Sequence, residues 1–156
     1  MKPVDKYLSV NGLRLHYLDW GTEGQQAMLL LHGFTTLAHA WDFFAPVFCH
    51  RYHVLALDQR GHGDSQWPQD AAYTTDDHLV DIAGFVDALN LENLVLVGHS
   101  MGGRNAIVYA ACFPEKVARL ILIDSRPDND PAASEALGQL LTAIPDEISS
   151  VDELAP

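Results

Sequence analysis

Leu94-Val-Leu-Val-Gly-His-Ser-Met-Gly-Gly103 runs from four apolar residues into a serine with a glycine two positions to either side. A short apolar run bounded by turn residues reads as a strand buried on both faces. The segment from Met101 to Phe113, stopped by Pro114, reads as a helix. Between them Gly98-His99-Ser100-Met101-Gly102 has the form G-x-S-x-G, a pattern weak by itself. Set between a strand and a helix it describes a turn so sharp that Ser100 takes a strained backbone and its hydroxyl stands clear. Gly98 and Gly102 then have a physical reason, because side chains there would meet the turn or the neighbouring strand. The hydroxyl emerges at the carboxyl end of the sheet and the positive end of a helix, where open α/β sheets hold their ligands.

The same alternation continues outward. Ala27 to Leu31, His53 to Leu57 and Val117 to Ile123 are further short apolar runs suited to strands. Helical stretches are expected around Leu37 to Phe48 and from Thr75, where a cap and two acids precede Leu79, Ile82, Ala83, Val86 and Leu89 on one face. At the start, Tyr7 to Val10 and Leu13 to Asp19 flank Asn11-Gly12, a strong hairpin signal. The expected fold is α/β: a mostly parallel sheet with helices on both faces and an N-terminal antiparallel hairpin. Beyond Asp124 the character changes. Pro127, Pro131, Pro145 and Pro156 surround one weak helix near Ala132 to Ala143, so the reading divides the chain into 1–126 and 127–156.

The chain has 156 residues, 48% hydrophobic and 19% charged, which fits one globular domain with its own core. Nine basic against 21 acidic residues give a net charge of −12. The basic residues are scattered singly, so neither nucleic acid nor an anionic membrane surface is an expected partner. No apolar run reaches membrane-spanning length and no secretory leader is visible at the start. Cys49 and Cys112 show no metal or redox spacing and sit in apolar stretches, so both are expected as buried, reduced thiols in a cytoplasmic protein. No cofactor or metal is implied.

Attack of a serine on a carbonyl creates an oxyanion that needs N–H donors. The N–H of Met101, first in its helix, is the natural first donor. The second should come from the loop after Ala27 to Leu31, which reads His32-Gly33-Phe34; Gly33 permits close approach and leaves the N–H of Phe34 as the candidate. His32 to Phe34, Asp58-Gln-Arg-Gly-His-Gly-Asp-Ser65 and Gly98-His99-Ser100-Met101-Gly102-Gly103 stand in the order found in the α/β-hydrolase fold family, which the chain resembles over about residues 7–124. Because the elbow carries Ser100, the resemblance argues against the haloalkane-dehalogenase and epoxide-hydrolase branches, which use an aspartate nucleophile. Carboxylic esters, thioesters, lactones and C–C bonds next to a carbonyl remain as substrates of an acyl-enzyme mechanism.

The resemblance also implies an order of serine, acid, then histidine. All eight histidines, at 16, 32, 39, 50, 53, 62, 78 and 99, precede Ser100, so no general base is assigned. The chain thus resembles the N-terminal part of the family's fold, with 127–156 as the start of a lid or a loop-rich tail. His99 should point to the other side of the elbow, His32 is structural in the family, and His62 lies in a turn. Asp124, at the end of Val117 to Ile123, either serves as the catalytic acid, as in some branches, or caps the loop Ser125-Arg126-Pro127. Asp58, Arg60 and Ser65 are expected to hold their own loop by side-chain to backbone bonds. Trp41, Phe43, Phe44 and Trp67 fit core, rim or pocket wall equally. Leu120 to Ile123 should form an open edge through which the chain self-associates, unless the tail covers it. The alternative to a serine hydrolase is a non-catalytic small-molecule-binding or interaction module of the same fold, or an inactive fragment.

Overall fold

The computed structural model describes residues 2–126, and beyond them positions 135 and 139. The chain divides into two compact units, Met1–Arg126 and Pro127–Pro156. The expected lid or tail segment 127–156, with its weak helix, falls outside the described residues apart from those two positions.

In the first unit six strands, β1 (Val4–Val10), β2 (Leu13–Asp19), β3 (Ala27–Leu31), β4 (His53–Leu57), β5 (Leu94–His99) and β6 (Val117–Ile123), form one sheet in the order β1-β2-β4-β3-β5-β6. β1 and β2 pair antiparallel, as do β2 and β4, and the remaining four strands run parallel. The hairpin turn is where the dipeptide put it. Asn11 and Gly12 both have positive φ, 51° and 84°, as a two-residue turn matched to strand twist requires.

Strand periodicity sends alternate residues to opposite faces, and each face has its own core. Leu29, Leu31, Leu55, Leu57, Leu94 and Leu96 pack with Ile82, Phe85 and Val86 of α2 (Thr75–Ala88) and with Ala106 and Tyr109 of α3 (Met101–Cys112). Met28, Leu30, Val54, Ala56, Val95 and Val97 pack with Ala38, Trp41, Ala45 and Cys49 on the other side. Each fully buried leucine contributes roughly 1.5–3 kcal/mol relative to exposure, so these two layers dominate the stability. Phe85, absent from the sequence-predicted apolar face, is fully buried and meets Tyr17 edge-on at 5.0 Å. α2 opens with a reciprocal cap in which the Thr74 hydroxyl accepts from the Asp77 N–H and the Asp77 carboxylate accepts from the Thr74 N–H.

Two expectations need correction. The single helix expected over Leu37 to Phe48 is a 3₁₀ turn, Ala38–Trp41, followed by a short helix α1, Ala45–Phe48. Pro46 lacks the N–H that a continuous helix would need there, and it sits in the first turn of α1, where that N–H is dispensable. Cys112 is exposed, not buried, while Cys49 is buried, and both thiols are free. The buried stripe of α3 ends at Tyr109, and Cys112 lies in the helical turn beyond it.

β6 forms one edge of the sheet, with Leu120, Ile121, Leu122 and Ile123 each 37–41% exposed. Consecutive residues face opposite sides of a strand, so both faces of this edge are uncovered among the described residues. No helix among the described residues is long and apolar enough to cross a membrane.

Candidate active site

β5 ends at His99 and α3 begins at Met101, leaving Ser100 alone to make the turn. Its backbone has φ 50° and ψ −116°, a conformation that side chains disfavour. The Ser100 N–H donates to the carbonyl of Ile123 (3.1 Å), and the Ser125 hydroxyl lies 3.0 Å from the Ser100 carbonyl, so the end of β6 clamps the elbow. The flanking glycines are required by contact. A Cβ on Gly98 would lie 2.5 Å from the Gly102 carbonyl oxygen, and one on Gly102 would lie 2.4 Å from that of Leu31. No other residue fits at either place, because a side chain at Gly98 would meet the first turn of α3 and one at Gly102 would meet the end of β3. Gly103 packs against the Ser125 hydroxyl.

The loop after β3 lies alongside. A Cβ on Gly33 would sit 2.8 Å from His99 Nδ1 and 3.4 Å from Ser100 Cβ. The His99 ring therefore lies against the loop carrying Phe34. The backbone N–H groups of Phe34 and Met101 have no acceptor among the described residues. Two unpaired donors beside a serine at a helix N-terminus make a site suited to a developing negative oxygen.

His32 is fully buried beneath this loop. Its Nδ1 lies 2.7 Å from the Gly33 carbonyl oxygen, and its Nε2 accepts the Gln59 N–H at 3.0 Å. Burial pushes its pKa down to about 4, with neighbouring His62 and His99 adding to the effect and the bond to Gly33 opposing it. The ring is neutral near pH 7 and serves as a fixed strut. His62 stands at the rim. Its ring nitrogens face the carbonyls of Arg60 (2.9 Å) and Phe34, and its ring meets Phe34 edge-on.

Asp58, at the end of β4, is buried and gathers the Ala38 N–H (2.6 Å), the Asp64 N–H (3.0 Å) and the His16 Nδ1 (2.7 Å), while the Ser65 hydroxyl donates to its backbone carbonyl. Arg60 reaches the Ala72 carbonyl, but its main partner is Asp81, which it grips through Nε (2.7 Å) and Nη2 (2.8 Å). The expected backbone bonds are there, together with ion pairs that no local pattern announced. His16 and Asp58 are 42 positions apart, and the antiparallel register of β2 on β4, Tyr17 opposite Leu57, is the signal that brings them together.

Asp124 follows β6 with φ 47° and is exposed, and no histidine hydrogen-bonds it among the described residues. Likewise no histidine hydrogen-bonds the Ser100 hydroxyl, so among the described residues the serine and the two N–H groups come together without a base in contact. Trp41 is core and stacks edge-on with Phe44 at 5.3 Å, whereas Phe43 and Trp67 are exposed. No group of three His, Cys, Asp or Glu side chains among the described residues is arranged to hold a metal ion.

Residues 26–154 match the family model described as alpha/beta hydrolase fold. Epoxide hydrolase 4 of Mus musculus is 40% identical over 115 residues, covering 73% of this chain and 32% of that protein. N-formylmaleamate deformylase of Pseudomonas putida is 42% identical over 117 residues, covering 75% and 43%. Among solved structures, E-2-(acetamidomethylene)succinate hydrolase superposes with a TM-score of 0.83 at 30% identity, over 90% of this chain and 52% of that one. The chain spans about a third to a half of the length of these relatives.

Proposed function

The chain belongs to the α/β-hydrolase fold family, and on that premise we propose that it serves a serine hydrolase acting on a small acyl substrate through Ser100. The carrying observation is the strained serine at the start of α3 beside two N–H groups without acceptors among the described residues. In this reading Ser100 Oγ attacks the carbonyl carbon as a base removes its proton. The carbonyl electron pair moves onto oxygen, between the N–H groups of Met101 and Phe34. Collapse of that intermediate expels the leaving group, which takes up the proton, and leaves an ester on Ser100 that water then cleaves. Asp124 is the acid of this reading, and the base it would orient is not assigned to any of the eight histidines.

Some relatives are epoxide hydrolases and others are a deformylase and an acetamido-compound hydrolase. The chemistry of the elbow favours the acyl group over the epoxide. A serine opening an epoxide would leave an ether, which water does not cleave under mild conditions, whereas a serine acylated at a carbonyl leaves a labile ester. Esters, thioesters, lactones and C–C bonds next to a carbonyl are the substrate classes of this proposal. Two free thiols support a reducing, cytoplasmic setting.

The absence of a histidine bonded to Ser100 favours one alternative, a binding module of the same fold without turnover. Intact-mass spectrometry after incubation with a fluorophosphonate, with Ser100→Ala alongside, separates the two. A single adduct lost in the mutant is the expected result. A folded chain that gains no adduct would leave the binding module as the better reading.

A further inference from the structure

Gln59 and Asn105 belong to no reading of the active site, yet they are 1% and 2% exposed. Amides buried this deeply are costly unless every group finds a partner, and here one obligate acceptor orients both. The His32 carbonyl can only accept, so the Gln59 side chain must present Nε2 to it, at 2.8 Å. Its Oε1 then faces Asn105, whose Nδ2 donates at 2.8 Å. The Gln59 backbone N–H can only donate, so His32 Nε2 accepts, and the ring proton sits on Nδ1 and bonds the Gly33 carbonyl. That carbonyl and the Phe34 N–H share one planar trans peptide, in which the two groups point in opposite directions. Anchoring the carbonyl inward therefore aims the N–H outward. The His32 carbonyl also accepts the Gly102 N–H at 3.1 Å, so the first turn of α3 hangs from the same residue.

We propose that Gln59 and Asn105 are positioning residues that set the Phe34 N–H against the Met101 N–H, coupling the loops after β3 and β4 to α3. This rests on the reading of Ser100 as nucleophile and of those two N–H groups as its oxyanion donors. Among the described residues Gln59 and Asn105 hydrogen-bond neither the hydroxyl nor the donors, and they act through His32.

The test is the kinetics of Ser100 phosphonylation by a fluorophosphonate in the wild-type chain, Gln59→Leu, Asn105→Leu and the double mutant. Loss of an oxyanion donor typically slows a reaction 10²–10³-fold, so misaiming one should slow the bonded step roughly tenfold to a hundredfold, with the saturation constant unchanged. The double mutant should be no slower than the slower single, because the pair acts as one unit. If the leucine variants do not fold, two isosteric changes carry the test. In its ionised form Asn105→Asp can only accept, which turns the Gln59 amide round, and ionised Gln59→Glu keeps the acceptor but loses the donor to His32. Amide NMR of Phe34 and ring ¹⁵N signals of His32 form a second readout, expected to shift while the Ile82 amide does not. Folded variants that react at the wild-type rate, or strictly additive losses, would overturn the proposal. A wild-type chain without an adduct at Ser100 would sink the nucleophile reading instead. The Phe34 and His32 signals then decide the positioning claim alone, upholding it if they move and overturning it if they do not.

Discussion

His32 and His78 are buried neutral, and in both burial is the main cause of a pKa lowered to about 4. His32 faces His62, His99 and Asp58, and His78 faces Arg60, His62, His32 and Asp77, so the basic neighbours reinforce the lowering and the acids oppose it. An unfolded histidine titrates near 6.5, so between pH 6.5 and 4 the unfolded chain binds protons that the folded chain refuses. Stability from these groups is complete above 6.5, falls as the pH drops, and changes no further below about 4. The loss is at most about 3 kcal/mol per histidine. Thermal midpoints between pH 7 and 4 should fall steadily, and His78→Gln should flatten the slope; a flat wild-type profile would count against this account. Asp19 acts in a lower window. Burial opposes ionisation of its carboxyl, but His53, Lys6 and the Gly21 N–H hold it below the ordinary carboxylate range, so its contribution is lost only below about 3.8. The structural role of His32 was implied by the family resemblance, whereas nothing in the spacing of His78 announced its burial.

The elbow joining β5 to α3 stores strain at one residue. A non-glycine residue at φ 50°, ψ −116° costs of order 1–3 kcal/mol, while a glycine there loses about 0.5–1 kcal/mol more chain entropy on folding. Strain outweighs the entropy. Ser100→Gly should therefore stabilise the fold by about 1 kcal/mol in urea titration while abolishing any reaction at this position. Ser100→Ala keeps the Cβ and should leave stability near wild type. Equal midpoints for the two variants would mean that the elbow is unstrained. Elements of this kind were readable because their chemistry is local: Gly98 and Gly102 fit the tight contact, and Asn11-Gly12 fits its turn. The broken helix over Leu37 to Phe48 was less readable. A single helical stretch was expected there, and the missing N–H of Pro46 prevailed.

At the scale of the whole sheet, four apolar residues of the edge strand, Leu120 to Ile123, are exposed on both faces among the described residues. Parallel sheets normally have both faces covered, and an uncovered apolar edge offers free N–H and C=O groups to another strand. Unless the tail covers β6, the chain is expected to self-associate through it, with an average mass in sedimentation equilibrium that rises with concentration. Ile121→Lys, which places a charge on the edge, should restore the monomer. A wild-type chain that stays monomeric throughout would refute the idea. The net charge of −12 opposes association at long range, so added salt should strengthen it.

Sequence alone determined the α/β class, the hairpin, the buried strands and the serine at a strand-to-helix turn. Each is written in neighbouring residues, by apolar runs, turn dipeptides and positions that admit only glycine. Tertiary structure decided which polar groups meet. Arg60 finds Asp81 across 21 positions, His16 finds Asp58 across 42, and Asn105 finds Gln59 across 46. No periodicity encodes those pairs, because a buried polar group is satisfied by whatever donor or acceptor the packed sheet and helices bring within about 3 Å.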